Sequence, residues 1–430
     1  MTTPPLSASE HHASPLRLWH TADWHLGQSF HNFDREYEHA QFLEWMLQQL
    51  KERRPDVLLL SGDVFDSINP PASAQRRFYS FLQTARAALP GLQMVITAGN
   101  HDAAARLEAP ADLLESLQIS VVGTVSRNAE GRILLSKFIV PVKNALGQVK
   151  ALVLALPYLR PADVPLLPEA NNPYLDGIRD LYHQVTAEAT RLRDRLYPEA
   201  ALIALGHCHM QEGAESRDSE RRIIIGGAEA LGKDAFPQEL AYVALGHLHK
   251  PQELDSGRIR YSGSPIPLSF SEKDYAHHVL EVAIENGCLS SVTPLPIPKT
   301  VPLLRVPATR AVPLEELLLR LDDLTADPAL PPERHPFLEV RVLDDGPDPT
   351  RRQRIEDKLK GKSVRLATLR MEPLARAETT LQTLETPSLE SLENLDPLEM
   401  MLSAHLEHYG AEAEADLKAV MQQILNELPQ

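Results

Sequence analysis

One pattern constrains this chain more than any other: a short apolar run that stops at glycine and then presents groups able to ligate a metal. Met94 to Asp102 shows it most fully, where Met-Val-Ile-Thr-Ala leads to Gly99 and then to Asn100, His101 and Asp102. Val57 to Leu60 leads through Ser61-Gly62 to Asp63 and Asp66. Ala201 to Leu205 leads to Gly206-His207, and Ala241 to Leu245 leads to Gly246-His247-Leu248-His249. Near the start, Leu16 to Ala22 delivers Asp23 and His25. Runs of this length read as buried strands. A single histidine at a strand end is more often a satisfied core residue, but the recurrence at five strand ends points to a shared ligand site.

Helical periodicity fills the spaces between these strands. Asp34 to Arg54 carries Tyr37, Phe42, Trp45, Met46 and Leu50 on one face and stops at Pro55. Pro70-Pro71 opens a second helix reaching Ala88, a third is expected over Leu107 to Leu117, and a fourth over Gly177 to Tyr197. Further strands are expected within Ile119 to Tyr158 and over Arg222 to Ile225, Arg258 to Gly263 and His277 to Ile284. Strands alternating with helices predict an α/β domain with buried sheets, in which ligands gather at the carboxyl ends of the strands.

The domain is expected to cover residues 16–295, after a Pro/Ser/Thr-rich leader over 1–15 that has neither a basic start nor an apolar core. Around Pro296 to Pro302 the composition shifts. Residues 300–372 then read strand, helix, strand, helix, strand: a small α+β cap. An acidic linker is expected over 373–397. An amphipathic helix is expected over 398–430, with Leu402, Leu406, Tyr409, Ala413, Leu417, Val420, Ile424 and Leu428 along one stripe.

Two cysteines, Cys208 and Cys288, make no disulfide framework, and no apolar run is long enough to span a bilayer, which predicts a cytoplasmic protein. The net charge of −16 argues against bulk electrostatic grip on nucleic acid. A polyanionic substrate must then be held by metal ions, by local positive charge or with the help of a partner.

The ligand types suit two divalent ions. Asp23, His25, Asp63 and His249 are expected to hold one, and Asp63, Asn100, His207 and His247 the other, with Asp63 shared at the ~3.5–4 Å spacing of hydrolytic two-metal sites. Such a pair lowers the pKa of a water between the ions and retains about +2 of charge for a phosphodiester. His101 is left to protonate the departing oxygen, with Asp102 expected to orient its ring. Imidazoles suit Zn or Fe, while carboxylate and amide oxygens suit Mn or Mg. His209 and Cys208 read as bystanders to His207.

Gly62-Asp63, Gly99-Asn-His-Asp102 and Gly246-His-Leu-His249, together with Asp23-Trp-His25, resemble the motifs of the calcineurin-like metallophosphoesterase family. His20 to Gly27, Gly62 to Asp66, Ala244 to His249 and Tyr261 to Pro265 narrow this to a resemblance to the SbcD family of bacterial nuclease subunits. The resemblance covers residues 16–430 and is weakest after Glu372. It implies a four-layer αββα core, two bridged ions with Mn2+ foremost, and double-strand exonuclease, single-strand endonuclease and hairpin-opening activity on DNA. It also implies an SbcC-type coiled-coil ATPase partner bound by C-terminal helices. A homodimer within a heterotetramer would be built on the helices over Pro71 to Ala88 and Arg106 to Leu117. Some relatives carry histidine at the position of Asp66, so no catalytic role passes to that residue.

On the cap, Arg351, Arg352, Arg354, Lys358, Lys360, Lys362 and Arg365 are candidate DNA contacts, and a solvated helix face accounts for them equally well. A small-molecule or phosphoprotein phosphoesterase shares the same core chemistry, and a non-catalytic subunit tethering DNA ends is a further alternative. The cap speaks against the first and the intact ligand set against the second.

Overall fold

The computed structural model describes residues 15–165, 167, 169–216 and 230–373. The strand expected over 222–225, the linker from residue 374 onward and the helix expected over 398–430 lie outside the described residues.

In chain order the elements are β1 (Leu16–Thr21), β2 (Ser29–Phe30), β3 (Phe33–Asp34), α1 (Glu36–Arg53), β4 (Val57–Ser61), α2 (Ala72–Ala88), β5 (Gln93–Thr97), α3 (Ala104–Glu108), α4 (Ala111–Glu115) and β6 (Ile119–Val122). Then follow β7 (Ile139–Lys143), β8 (Val149–Ala155), α5 (Pro173–Leu196), β9 (Ala201–His207), β10 (Leu240–Gly246), β11 (Gln252–Leu254), β12 (Ile259–Tyr261), β13 (His278–Glu285) and β14 (Cys288–Pro296). The last group is β15 (Leu303–Val306), α6 (Leu314–Asp322), β16 (Phe337–Asp344), α7 (Arg351–Leu359) and β17 (Arg365–Pro373).

Two six-stranded sheets face each other, ordered β14-β13-β1-β4-β5-β6 and β11-β12-β10-β9-β8-β7. In the first sheet β1, β4, β5 and β6 run parallel, with the antiparallel pairs of β13 and β14 on one side; in the second β12, β10, β9 and β8 run parallel between antiparallel edge strands β11 and β7. The apolar run of β4 shows why the sheets stack in layers. Successive side chains of a strand point to opposite faces. Val57 and Leu59 enter the core between the sheets, together with Val153 of β8 and Ile203 of β9. Leu58 and Leu60 enter the core beneath α1 and α2, with Phe42, Met46, Phe78 and Phe81. On the far side α5 lays Leu181, Val185 and Ala189 against the second sheet. The layers are α, β, β and α, the calcineurin-like metallophosphoesterase fold.

Local chemistry accounts for where the elements differ from expectation. A single helix over Leu107 to Leu117 is not formed. Pro110 lacks the N–H that would continue the first piece, and the segment divides into α3 and α4. α5 begins four residues earlier than expected, at Pro173, because the Asn172 side chain accepts from the Leu175 N–H at 3.1 Å and proline suits the first helical position. The strand β14 was not expected. Asn286-Gly287, both with positive φ (50° and 77°), makes the tight turn that returns the chain from β13.

The described residues up to Glu372 form one compact unit. Within it, the strand–helix alternation expected for the cap is present: a three-stranded sheet β15-β16-β17 covered by α6 and α7, with Leu317, Leu321, Leu338, Val340, Val342 and Ile355 in its own core. A separate aromatic cluster of Phe30, Phe270, Val301 and Phe337 joins this sheet to the larger body. Among the described residues no helix is long and apolar enough to cross a membrane.

Candidate metal centre

The parallel strands β1, β4 and β5 of one sheet and β9 and β10 of the other end side by side. Their loops bring Asp23, His25, Asp63, Asn100, His101, His207, His247 and His249 to one place. Asp23, His25 and His249 form one group whose ligand atoms lie within 4.8 Å of one another, and Asp23, Asp63 and His207 form a second. Asn100 Oδ1 completes the far side, 2.9 Å from His207 Nε2 and 3.1 Å from His247 Nδ1.

Glycine before Asp63 and before Asn100 has a steric cause. A Cβ at Gly99 would lie 2.1 Å from Asp63 Oδ1, and one at Gly62 would lie 2.3 Å from His207 Nδ1. The strand ends approach this closely only because those side chains are missing. Backbone strain accompanies the packing: Asp23, His25, Asp63 and His247 all have positive φ, at 54°, 44°, 48° and 105°. Non-glycine residues adopt this conformation at a cost that surrounding contacts must offset, and such residues concentrate at functional sites. Here the contacts are backbone hydrogen bonds from Asp23 N to Gly62 O and from His25 N to Asp63 O, both 3.1 Å, and from His247 N to Asp23 Oδ1 at 2.9 Å.

The donor set fits divalent cations. Asp23 Oδ2 and both ring nitrogens of His25 are buried and make no hydrogen bond, although Asp63 and Asp66 carboxylates stand 3.5 and 3.2 Å from that ring. Buried polar groups left without a partner are costly, and a cation would satisfy Asp23 Oδ2 and one nitrogen of His25, the other nitrogen carrying the ring's proton. His207 is oriented for the same task, with Nδ1 on the Ser61 carbonyl at 3.0 Å and Nε2 turned to Asp63 at 3.4 Å.

Without a cation the site holds protons instead. Burial pushes the Asp23 carboxyl up to about 7, with His207 and His249 pulling it back only in part. Burial works against charge on His207, yet Asp63 beside it, with Asp23, raises it to about 9. Burial alone would raise Asp63, but His207, through charge and hydrogen bond, with His25 and His101, holds it below the usual carboxylate range. A cation therefore has to expel protons from Asp23 and His207, and its affinity must fall as the solution is acidified. The sign for stability is the same. Both folded values lie above the unfolded ones, so the stabilisation from these two protons is full below about 4 for Asp23 and about 6.5 for His207. It is lost as pH rises through about 7 and about 9. The gap in Tm between the protein with saturating Mn2+ and the protein in chelator is expected to be wider at about pH 8.5 than at about pH 6. Calorimetric scans at both pH values check this, and a gap that shrinks with pH would refute the proton-for-metal exchange.

One expectation for the site requires correction. Asp102 does not orient the His101 ring. Its carboxylate accepts from the backbone N–H of Gly99 (2.8 Å), Phe65 (2.9 Å) and Val64 (3.1 Å), so it staples the loop after β5 to the loop after β4. The ring of His101 is held instead by the Asp66 carbonyl, 2.8 Å from Nδ1, and stands edge-on to His25 at 4.8 Å between centroids. Asp66 also joins His25 and His101 in a third group of ligand-type atoms. On the cap, Arg351 is buried against Asp344 and Asp345. Arg352, Arg354 and Lys358 pair with Glu356, Glu315 and Asp322 at 2.6–2.8 Å, and Lys360 pairs with Asp357 at 2.7 Å. Lys362 donates to the carbonyls of Asp322 and Leu324, and Arg365 donates to that of His335. These cations thus have partners within the cap itself.

His209 belongs to none of the ligand groups and sits 3.4 Å from Glu215, while burial pushes the Cys208 thiol up to about 12. Motif reading also missed Glu272. This fully buried carboxylate accepts from Nδ1 of His249 at 3.0 Å, and nothing in its local sequence marks it.

The family profile described as calcineurin-like phosphoesterase matches residues 16–251. A second profile, described as type 5 capsule protein repressor C-terminal domain, matches residues 299–409. The SbcD component of the SbcCD nuclease of Rhodobacter capsulatus is 44% identical over 337 residues, covering 77% of this chain and 81% of the relative. The chain belongs to the SbcD family. Other relatives of the same name are more distant: that of Escherichia coli K12 is 36% identical over 67% of this chain and 70% of its own, and that of Bacillus subtilis 35% over 63% and 67%. The motifs that carry the SbcD resemblance fall on the strand ends that meet at this centre.

Proposed function

We propose that this SbcD-family chain is a metal-dependent nuclease that hydrolyses DNA phosphodiester bonds at a two-metal site. The observation that carries the reading is the meeting of five strand ends in one cluster of buried carboxylate, imidazole and amide groups. Asp23, His25 and His249 hold one ion, and Asn100, His207 and His247 the other. Asp63 lies between them, 3.5 Å from His25 and 3.4 Å from His207. Divalent ions bound there supply a water of lowered pKa and neutralise charge on the phosphate.

The chain's own groups do the rest. His101, half-buried at the edge of the cluster, is fixed through Nδ1 by the Asp66 carbonyl. The carbonyl accepts from Nδ1–H, so it is the doubly protonated ring that would give the Nε2 proton to the leaving oxygen and return to the neutral form. The His101 backbone N–H donates to Asp63 Oδ1 at 2.9 Å, so the proton donor and the shared ligand keep a constant spacing. Mn2+ is the ion assigned here, since carboxylate and amide oxygens accompany the imidazoles.

The names of the relatives support a component of an SbcCD-type complex. In this reading the chain works with an SbcC-type coiled-coil ATPase in the cytoplasm, as a homodimer within a heterotetramer. With a net charge of −16 and a cap whose cations are internally paired, the partner supplies much of the DNA-binding surface. In this reading residues 16–295 form the nuclease domain and 300–372 the cap, while 398–430 engage the ATPase.

Labelled duplex, single-stranded and hairpin DNA, with a small aryl phosphodiester, should be incubated with Mn2+ and wild-type or Asp63→Asn protein, with and without the ATPase partner. Cleavage of DNA that needs Mn2+ and is lost in the variant is expected. Hydrolysis of the aryl ester with all DNA left intact under every condition would overturn the nuclease reading in favour of a small-molecule phosphodiesterase.

A further inference from the structure

The metal centre leans on a turn that none of its ligand motifs contains. Phe270–Glu272 is a single 3₁₀ turn, and the fully buried Glu272 lies at its end. Glu272 Oε1 accepts from His249 Nδ1 at 3.0 Å, and Oε2 accepts from the Leu268 N–H at 2.8 Å. A carboxylate on one ring nitrogen fixes the proton there and leaves the lone pair on the other, which sets both the angle and the basicity of a ligating imidazole.

The segment carrying Glu272 is gripped from two sides. From the larger body, Arg35 donates to the Pro267 carbonyl and Gln28 Nε2 to the Leu268 carbonyl at 3.4 Å. From the cap, Arg305 donates to the Phe270 carbonyl at 3.3 Å and is ion-paired with Glu339. Phe337, the first residue of β16, is fully buried. Its ring lies 4.9 Å from Phe30, which in turn lies 5.2 Å from Phe270. The guanidiniums of Arg365 and Arg35 flank Phe337 at 3.7 and 5.7 Å.

We propose that Glu272 is a positioning residue for the cation at His249, and that docking of the cap through Phe337 and Arg305 sets how tightly that cation is held. The proposal rests on reading His249 as a ligand. Linkage makes the effect reciprocal: whatever the docked cap adds to cation affinity, the cation adds to docking.

The test uses the full chain and Mn2+ alone as the probe. Calorimetric titration of wild type, Glu272→Gln, Phe337→Ala and Arg305→Gln is paired with hydrogen exchange across residues 337–344, with and without Mn2+. Each variant is expected to bind one of two Mn2+ ions about 10- to 100-fold more weakly and to leave the other unchanged. Mn2+ is expected to slow exchange in β16 of the wild type. If Phe337→Ala fails to fold, Phe337→Leu and Arg305→Gln carry the comparison. Folded cap variants that bind both ions as the wild type does, with β16 exchange indifferent to Mn2+, would overturn the coupling. A wild type that binds no Mn2+ would overturn the metal reading itself, and this proposal with it.

Discussion

Replacing His101 with alanine is expected to lower Mn2+-dependent DNA cleavage by about 10²- to 10⁴-fold, the range that a positioned proton donor contributes. Both cation positions should survive. The imidazole touches the ligand His25 only edge-on, and the hydrogen bond to Asp63 comes from the His101 backbone, which alanine retains. Single-turnover cleavage measured beside Mn2+ binding separates the two effects. A His101→Ala protein that cleaves at the wild-type rate would remove His101 from the reaction and favour a protein that tethers DNA ends. Loss of Mn2+ along with activity would make His101 a ligand instead. His25 stands 4.8 Å from His101, centroid to centroid, which makes that outcome worth measuring.

The second large effect is on folding. Asp102→Ala leaves the N–H groups of Gly99, Phe65 and Val64 without their acceptor in a buried place. An unsatisfied buried donor costs about 1–3 kcal/mol. Partial relaxation and the relief of repulsion between Asp102 and Asp63 offset part of the sum, for a net loss of roughly 3–5 kcal/mol. That repulsion, after burial, is one cause of the Asp102 carboxyl being pushed up to about 6. Because the staple ties the Asp63 loop to the Asn100 loop, Mn2+ binding should weaken as well. Urea unfolding in chelator measures the stability term directly. An Asp102→Ala protein as stable as the wild type, yet inactive, would return Asp102 to the role of orienting His101.

How far the sequence could be read follows from where each signal resides. The buried strands were legible because a run of three to five apolar residues leading to glycine is a local signal, and β4, β5, β9 and β10 each carry one. The ligand residues were legible because each follows directly after such a run. Helix ends were less so. The Asn172 cap on α5 and the break at Pro110 are local, but they compete with an apolar periodicity that runs past them. The partners of the cap's basic residues were not legible for a different reason. Charge along α7 is visible in sequence, while the Glu315 and Asp322 that compensate it lie on α6, 39 and 36 residues away.

The sequence by itself determined the α/β class, the strand ends that carry the chemistry and the kind of cation they suit. These rest on backbone periodicity and on the intrinsic affinities of carboxylate, amide and imidazole. Only the tertiary structure decided what each group faces. Asp102 and His101 are neighbours in the chain, yet the carboxylate turns to backbone N–H groups 37 and 38 residues back and the imidazole to the carbonyl of Asp66. Glu272 reaches His249 across 23 residues, and the cap's Phe337 meets Phe30 across most of the described chain. Hydrogen-bond partners are chosen by distance and direction in three dimensions, and neither is written in the spacing of residues along the chain.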